Sequence, residues 1–209
     1  CFERIRSRLP DSLPLRELLA RCHAAAGNRK KAIDDFEALL KRDPRNGPVA
    51  FALAELYEEA GDLGRAETLF QQATLNQPTE AAPFLRLAFL QLPRSREQAM
   101  ATLNRALKSV PDDPLIHAYF GLVYSREGHF DQAIEAFAKT EALVARNGAQ
   151  QLQPAFYFWY GTACERAGQF ERAEALLETC IQRNPRADDA LNYLAYTWAE
   201  RGVKLDKAL

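Results

Sequence analysis

Cys22 and His23 are adjacent, and a thiol beside an imidazole is the pairing that activates a cysteine nucleophile. On a helix, however, consecutive side chains diverge and only residues three or four apart meet, so this pair is not set up as a dyad. The other cysteines give no metal chemistry either, because Cys1, Cys164 and Cys180 show neither a CxxC spacing nor a partner at zinc-ligand spacing. His117 stands alone on a predicted helix and His129 follows a glycine turn. The carboxylates are many but spread along predicted helix faces. The sequence therefore predicts no catalytic residues, no metal site, no cofactor and no enzyme activity within these residues.

The elements that would position any site come in a recurring pattern. Gly27, Ala32, Phe36, Leu39 and Pro44 recur 34 residues later as Gly61, Ala66, Phe70, Ala73 and Pro78. Partial copies follow at Ala99, Leu103, Ala106 and Pro111, at Gly128, Ala133 and Phe137, and at Gly168, Ala173, Leu177, Cys180 and Pro185. Ahead of these lie large-small pairs in constant phase, among them Leu53-Ala54, Leu87-Ala88, Phe120-Gly121 and Tyr160-Gly161. The apolar residues fall at helical spacing on both sides of each glycine, which predicts helix–turn–helix units stacked in series. In this phase Cys164 and Cys180 occupy the places of Tyr57 and Ala73, where a small buried filler is expected.

The motif in residues 47–80, with Leu53, Ala54, Tyr57, Gly61, Ala66, Phe70, Ala73 and Pro78, resembles the tetratricopeptide repeat (TPR), and the resemblance extends over nearly the whole chain. It implies an all-α fold, a right-handed superhelix of antiparallel helix pairs forming one array over 1–209. The predicted repeats are 13–46, 47–80, 81–113, 114–153 and 154–187, flanked by partial units 1–12 and 188–209. Phe2 and Pro10 keep the separation of Phe36 and Pro44, and Ala208-Leu209 falls where a second helix begins, so both ends read as cuts in a longer protein. That phase also favours a cut end over a lipidated first residue at Cys1.

Two repeats depart from the pattern. Leu92-Pro93-Arg94-Ser95 replaces the glycine turn of repeat 81–113, and repeat 114–153 is longer, which predicts a second helix extended to Asn147-Gly148.

TPR arrays line their inner surface with the first helix of each pair. Carried over by phase, that face holds an apolar row, Phe51, Leu85, Phe89, Leu122, Phe158 and Tyr196, with the acids Glu55, Glu58 and Glu165 beside it. The Lys and Asn of arrays that clamp a C-terminal carboxylate are missing from the matching places. An amphipathic helix or an extended segment with apolar anchors and a basic flank suits such a groove. Aromatic stripes at helical spacing also pack between neighbouring repeats, and that role competes for each of these residues.

With 27 basic and 28 acidic residues and a net charge of −1, the chain has no electrostatic footprint for nucleic acid. No apolar run reaches the roughly 20 residues of a membrane span. The expected partner is a protein or peptide, and a homo-oligomer is a further possibility of the same groove. Two alternatives stand beside a binding scaffold: a substrate-recruiting or regulatory region of a larger enzyme, and a self-association module. The stretch from Leu191 to Gly202 is similar to repeats of bacterial TPR proteins, and bacterial cytoplasm and periplasm are equally compatible with it.

Overall fold

The computed structural model describes residues 12–148 and 152–203. The expectations placed on Cys1, Phe2, Pro10 and Ala208-Leu209, and on 149–151 within the long repeat, lie outside the described residues.

Helix starts follow from side-chain caps and prolines. The Ser12, Asn46 and Asp113 side chains accept hydrogen bonds from the backbone N–H groups of Leu15, Val49 and Leu115, and each helix they open carries a proline in its first turn. Five first helices of the pairs end at left-handed glycines, and a sixth, Gly148, closes the long second helix of its pair. After Gly27, Gly61, Gly128, Gly168 and Gly202, all with positive φ, the next N–H bonds back to the carbonyl five residues earlier, as from Asp62 to Tyr57 and from Gln169 to Cys164. The Pro93 turn does without this, and Ser95 N–H bonds to Gln91 O instead.

Among the described residues these signals delimit eleven helices and no strand. They are α1 (Leu13–Ala25), α2 (Arg29–Arg42), α3 (Gly47–Glu59), α4 (Leu63–Asn76), α5 (Ala81–Gln91), α6 (Arg96–Ser109), α7 (Pro114–Arg126), α8 (Phe130–Asn147), α9 (Pro154–Arg166), α10 (Phe170–Arg183) and α11 (Asp188–Arg201). The chain forms two compact units, the first running to Pro111 and the second from Asp112. Within each, consecutive helices pack on one another in chain order.

In the first unit the core runs through Ala20, Phe36, Leu53, Tyr57, Phe70 and Leu87, all buried. The alternation of large and small residues is steric. Ala54 and Ala66 are fully buried, and such positions let helices approach while Phe36 and Phe70 fill the space between them. At two counterparts of Ala54 the second unit has glycine, Gly121 and Gly161. A Cβ on Gly121 would lie 2.6 Å from the Phe137 ring, and one on Gly161 2.9 Å from Leu177.

Tyrosines tie the pairs together as well. Tyr57 donates to Glu37 of the preceding pair and accepts from Arg65, whose guanidinium lies over its ring at 5.1 Å. Arg172 likewise stacks over Tyr160 at 4.8 Å and donates to its hydroxyl. Cys164 is buried beside this cluster, and burial pushes its thiol up to about 11, so it is a packing residue and not a nucleophile.

Candidate functional site

The first helices of the first unit are α1, α3 and α5. Each turns its small residues, Ala20, Ala54 and Ala88, into the core. The opposite side of α3 then presents Phe51, Glu55 and Glu58, spaced so that they share one face. Phe51 is half-buried and rests on Phe70, with ring centroids 5.5 Å apart. From α5, Arg86 reaches back to α3, 2.8 Å from Glu58 and 4.0 Å from Glu55. Leu85 is buried and offers packing, whereas Phe89, one turn on, is 43% exposed. On α1 the charges of this face are matched, Arg21 donating to Glu17 at 2.9 Å.

This arrangement leaves α3 with more acid than base. Arg86 stands between two carboxylates, and Glu59 finds its partner elsewhere, in Arg29 at 3.4 Å. Burial holds the Glu55 carboxyl above its usual range. Arg86 opposes that shift, while Glu58 and Glu59 add to it. A raised folded-state pKa means that folding disfavours the ionised form, so the stability tied to Glu55 is present below the ordinary glutamate range and lost as pH rises through the raised value. Glu55→Gln should therefore melt like the wild type at acid pH and become the more stable protein near neutrality. Thermal melts of both across that range check the sign.

In the second unit the predicted face residues lie on α7, α9 and α11. Leu122 is half-buried. Phe158 meets Tyr193 edge-on at 5.9 Å, and the Tyr193 hydroxyl donates to Glu165 at 2.7 Å, so both predicted residues of α9 join it to α11. Burial raises the Tyr193 phenol, and the Glu165 carboxylate raises it further. Tyr196 is 63% exposed and donates to Glu200 of its own helix.

Sequence reasoning passed over two partners here, Arg86 and Tyr193. Each contacts the first helix of the preceding pair, which a reading of one face at a time does not connect. His23 pairs its Nδ1 with Asp35 Oδ2 of α2 at 3.1 Å. Among the described residues no three of His, Cys, Asp and Glu are placed to hold a metal ion, and no helix is long and apolar enough to cross a membrane.

Comparisons with known proteins fit this architecture. Residues 25–88 match one family model described as tetratricopeptide repeat, and residues 154–197 match a second of the same description. A TPR repeat-containing protein of Pseudomonas aeruginosa is 31% identical over 85 residues, 41% of this chain but 14% of the relative, so the chain spans a small part of that protein's length.

Among solved structures, a chain of the APC/C hetero-tetramer Cut9–Hcn1 superposes with a TM-score of 0.82 at 17% identity, covering 99% of this chain and 40% of that one. A tetratricopeptide repeat protein from Parabacteroides merdae gives 0.75 at 14% identity, covering 99% and 80%. YrrB, described as a TPR protein with an unusual peptide-binding site, gives 0.63 at 17% identity, covering 91% and 96%.

Proposed function

The chain belongs to the tetratricopeptide repeat family, and from that premise we propose that this protein-interaction scaffold binds a peptide or helix of a partner on the inner faces of its first helices. The observation that carries the reading is on α3 and α5: the exposed ring of Phe89 stands on α5 at the repeat place that Glu55 holds on α3, and Arg86 of α5 reaches Glu55 and Glu58. An apolar anchor beside incompletely matched acid favours a partner segment with a bulky apolar residue and a nearby Lys or Arg. Leu122 and Tyr196 offer the corresponding surface in the second unit. Leu85, Phe158 and Glu165 support these faces from beneath or between helices. The role assigned is binding and not catalysis.

Peptides selected from a displayed random library against the 209-residue chain test this. Phe89→Glu should weaken the selected peptides at least about tenfold, the range for losing an anchoring side chain, while helicity and melting stay unchanged. Undiminished binding to Phe89→Glu, and likewise to Tyr196→Glu, would remove the inner faces from consideration. A mass that rises with concentration and falls in Phe89→Glu would instead favour the self-association reading.

A further inference from the structure

The long repeat of the second unit builds a pocket that the repeat pattern does not require. The four other described second helices, α2, α4, α6 and α10, have 14 residues, but α8 has 18, and its four additional residues include Val144 and Asn147. Together with Leu115 and Tyr119 of α7 and Phe156 and Trp159 of α9, they wall a pocket of about 480 Å³. This is within the size range of small-ligand and side-chain sites. The lining residues with polar side-chain groups are Asp113, Tyr119, Asn147, Gln153 and Trp159, and no Lys, Arg or His is among them. Two arginines stand at the pocket's edge: Arg146 lies 2.8 Å from Asp112 and donates to Asn147 Oδ1 at 3.5 Å, and Arg183 donates to Leu152 O and covers the Tyr157 ring.

We propose that this pocket receives the arginine side chain of a partner protein. Charge complementarity selects a cation, since the lining residues include one carboxylate and no basic side chain. The aliphatic and aromatic walls select a cation on an apolar stem, which can bury its methylenes while its charged head meets ring faces. Among cations, the guanidinium is the flat one, with a fork of donors for the Asp113 carboxylate. The chain itself stacks arginine on an aromatic ring at six places among the described residues. The pocket shares no residue with the inner faces, so its fate and theirs are separable.

The chain contains two tryptophans, Trp159 in the pocket and Trp198 outside its lining, and their indole N–H signals in a nitrogen-proton correlation spectrum give a reporter and an internal control. The probe is the blocked tripeptide acetyl-Ala-Arg-Ala-amide, titrated into the whole chain beside its lysine and citrulline counterparts. The arginine peptide should shift Trp159 saturably and leave Trp198 in place. Citrulline, of the same shape but neutral, and lysine should each bind about tenfold more weakly, the scale of losing a desolvated charge contact or its geometry.

Asp113→Asn keeps the helix-capping oxygen, removes the charge and should also cost about tenfold. Ala155→Phe, at an exposed position on the rim, should abolish the shift with the Trp198 signal and helicity unchanged. A silent Trp159, a citrulline or lysine peptide binding as well as arginine, or full binding by Asp113→Asn or Ala155→Phe would each overturn the assignment.

Discussion

Gly121→Ala lowers the melting temperature by about 4–8 °C, corresponding to roughly 2 kcal/mol for a chain of this size. Two effects oppose each other. Alanine is the better helix former by about 1 kcal/mol, which alone would stabilise. Against it, the new Cβ meets three atoms of the Phe137 ring at 2.6 to 2.8 Å, and that ring has nowhere to go. Phe137 is fully buried, with Phe156 edge-on at 5.6 Å and Tyr160 at 5.3 Å. Overpacking of this kind typically costs about 1–3 kcal/mol, and the immobile ring places this site at the upper end.

Gly64→Ala is the control. That glycine is helical and exposed, and an added Cβ meets only Asp62 Oδ1, at 3.9 Å, so the propensity gain should appear by itself as a small rise. Circular-dichroism melts of both variants decide the matter, and a Gly121→Ala protein as stable as the wild type would mean that Phe137 can move. In that event Phe137→Leu in the same background would have nothing to rescue.

Phe70→Ala is expected to cost more, about 3–5 kcal/mol, the range for truncating a buried phenylalanine. Phe70 is fully buried at the centre of the first unit's core, in contact with α3 and α4 neighbours. Phe70→Leu, which keeps most of the volume, should lose only a fraction of that. Denaturant titration followed by far-ultraviolet dichroism separates the two, since the midpoint should fall while the slope is kept. The substitution also has a consequence at the surface. Phe51 rests on the Phe70 ring, so the alanine variant should lose affinity for selected peptides even under conditions where it stays folded.

The helix pairs were legible because their signals are local. Glycine between two apolar stripes, a cap residue ahead of a proline and a large-small pair in constant phase are each contained in a few residues. The extension of α8 to Asn147, closed by left-handed Gly148, was readable for the same reason. Whether a first-helix side chain is covered is another kind of question. Leu85, Phe89 and Phe158 look alike in sequence, yet one is buried, one exposed and one held edge-on by Tyr193, 35 residues away. Those outcomes depend on how the next pair packs, and so does the reach of Arg86 to Glu55 and Glu58. The pocket beside Trp159 was hidden more deeply still, because its walls come from three helices and appear only where α8 outruns its counterparts.

The five left-handed glycine turns have a consequence in time. Each ends its helix through a hydrogen bond spanning six residues, and loops that short close within about 100 ns. Most contacts that follow join a helix to the next one in the chain, which keeps sequence separations small and folding fast. A chain assembled this way can begin at any pair and extend from neighbour to neighbour. Part of it emerging from a ribosome already carries the partners it needs, and does not wait for a distant strand to arrive.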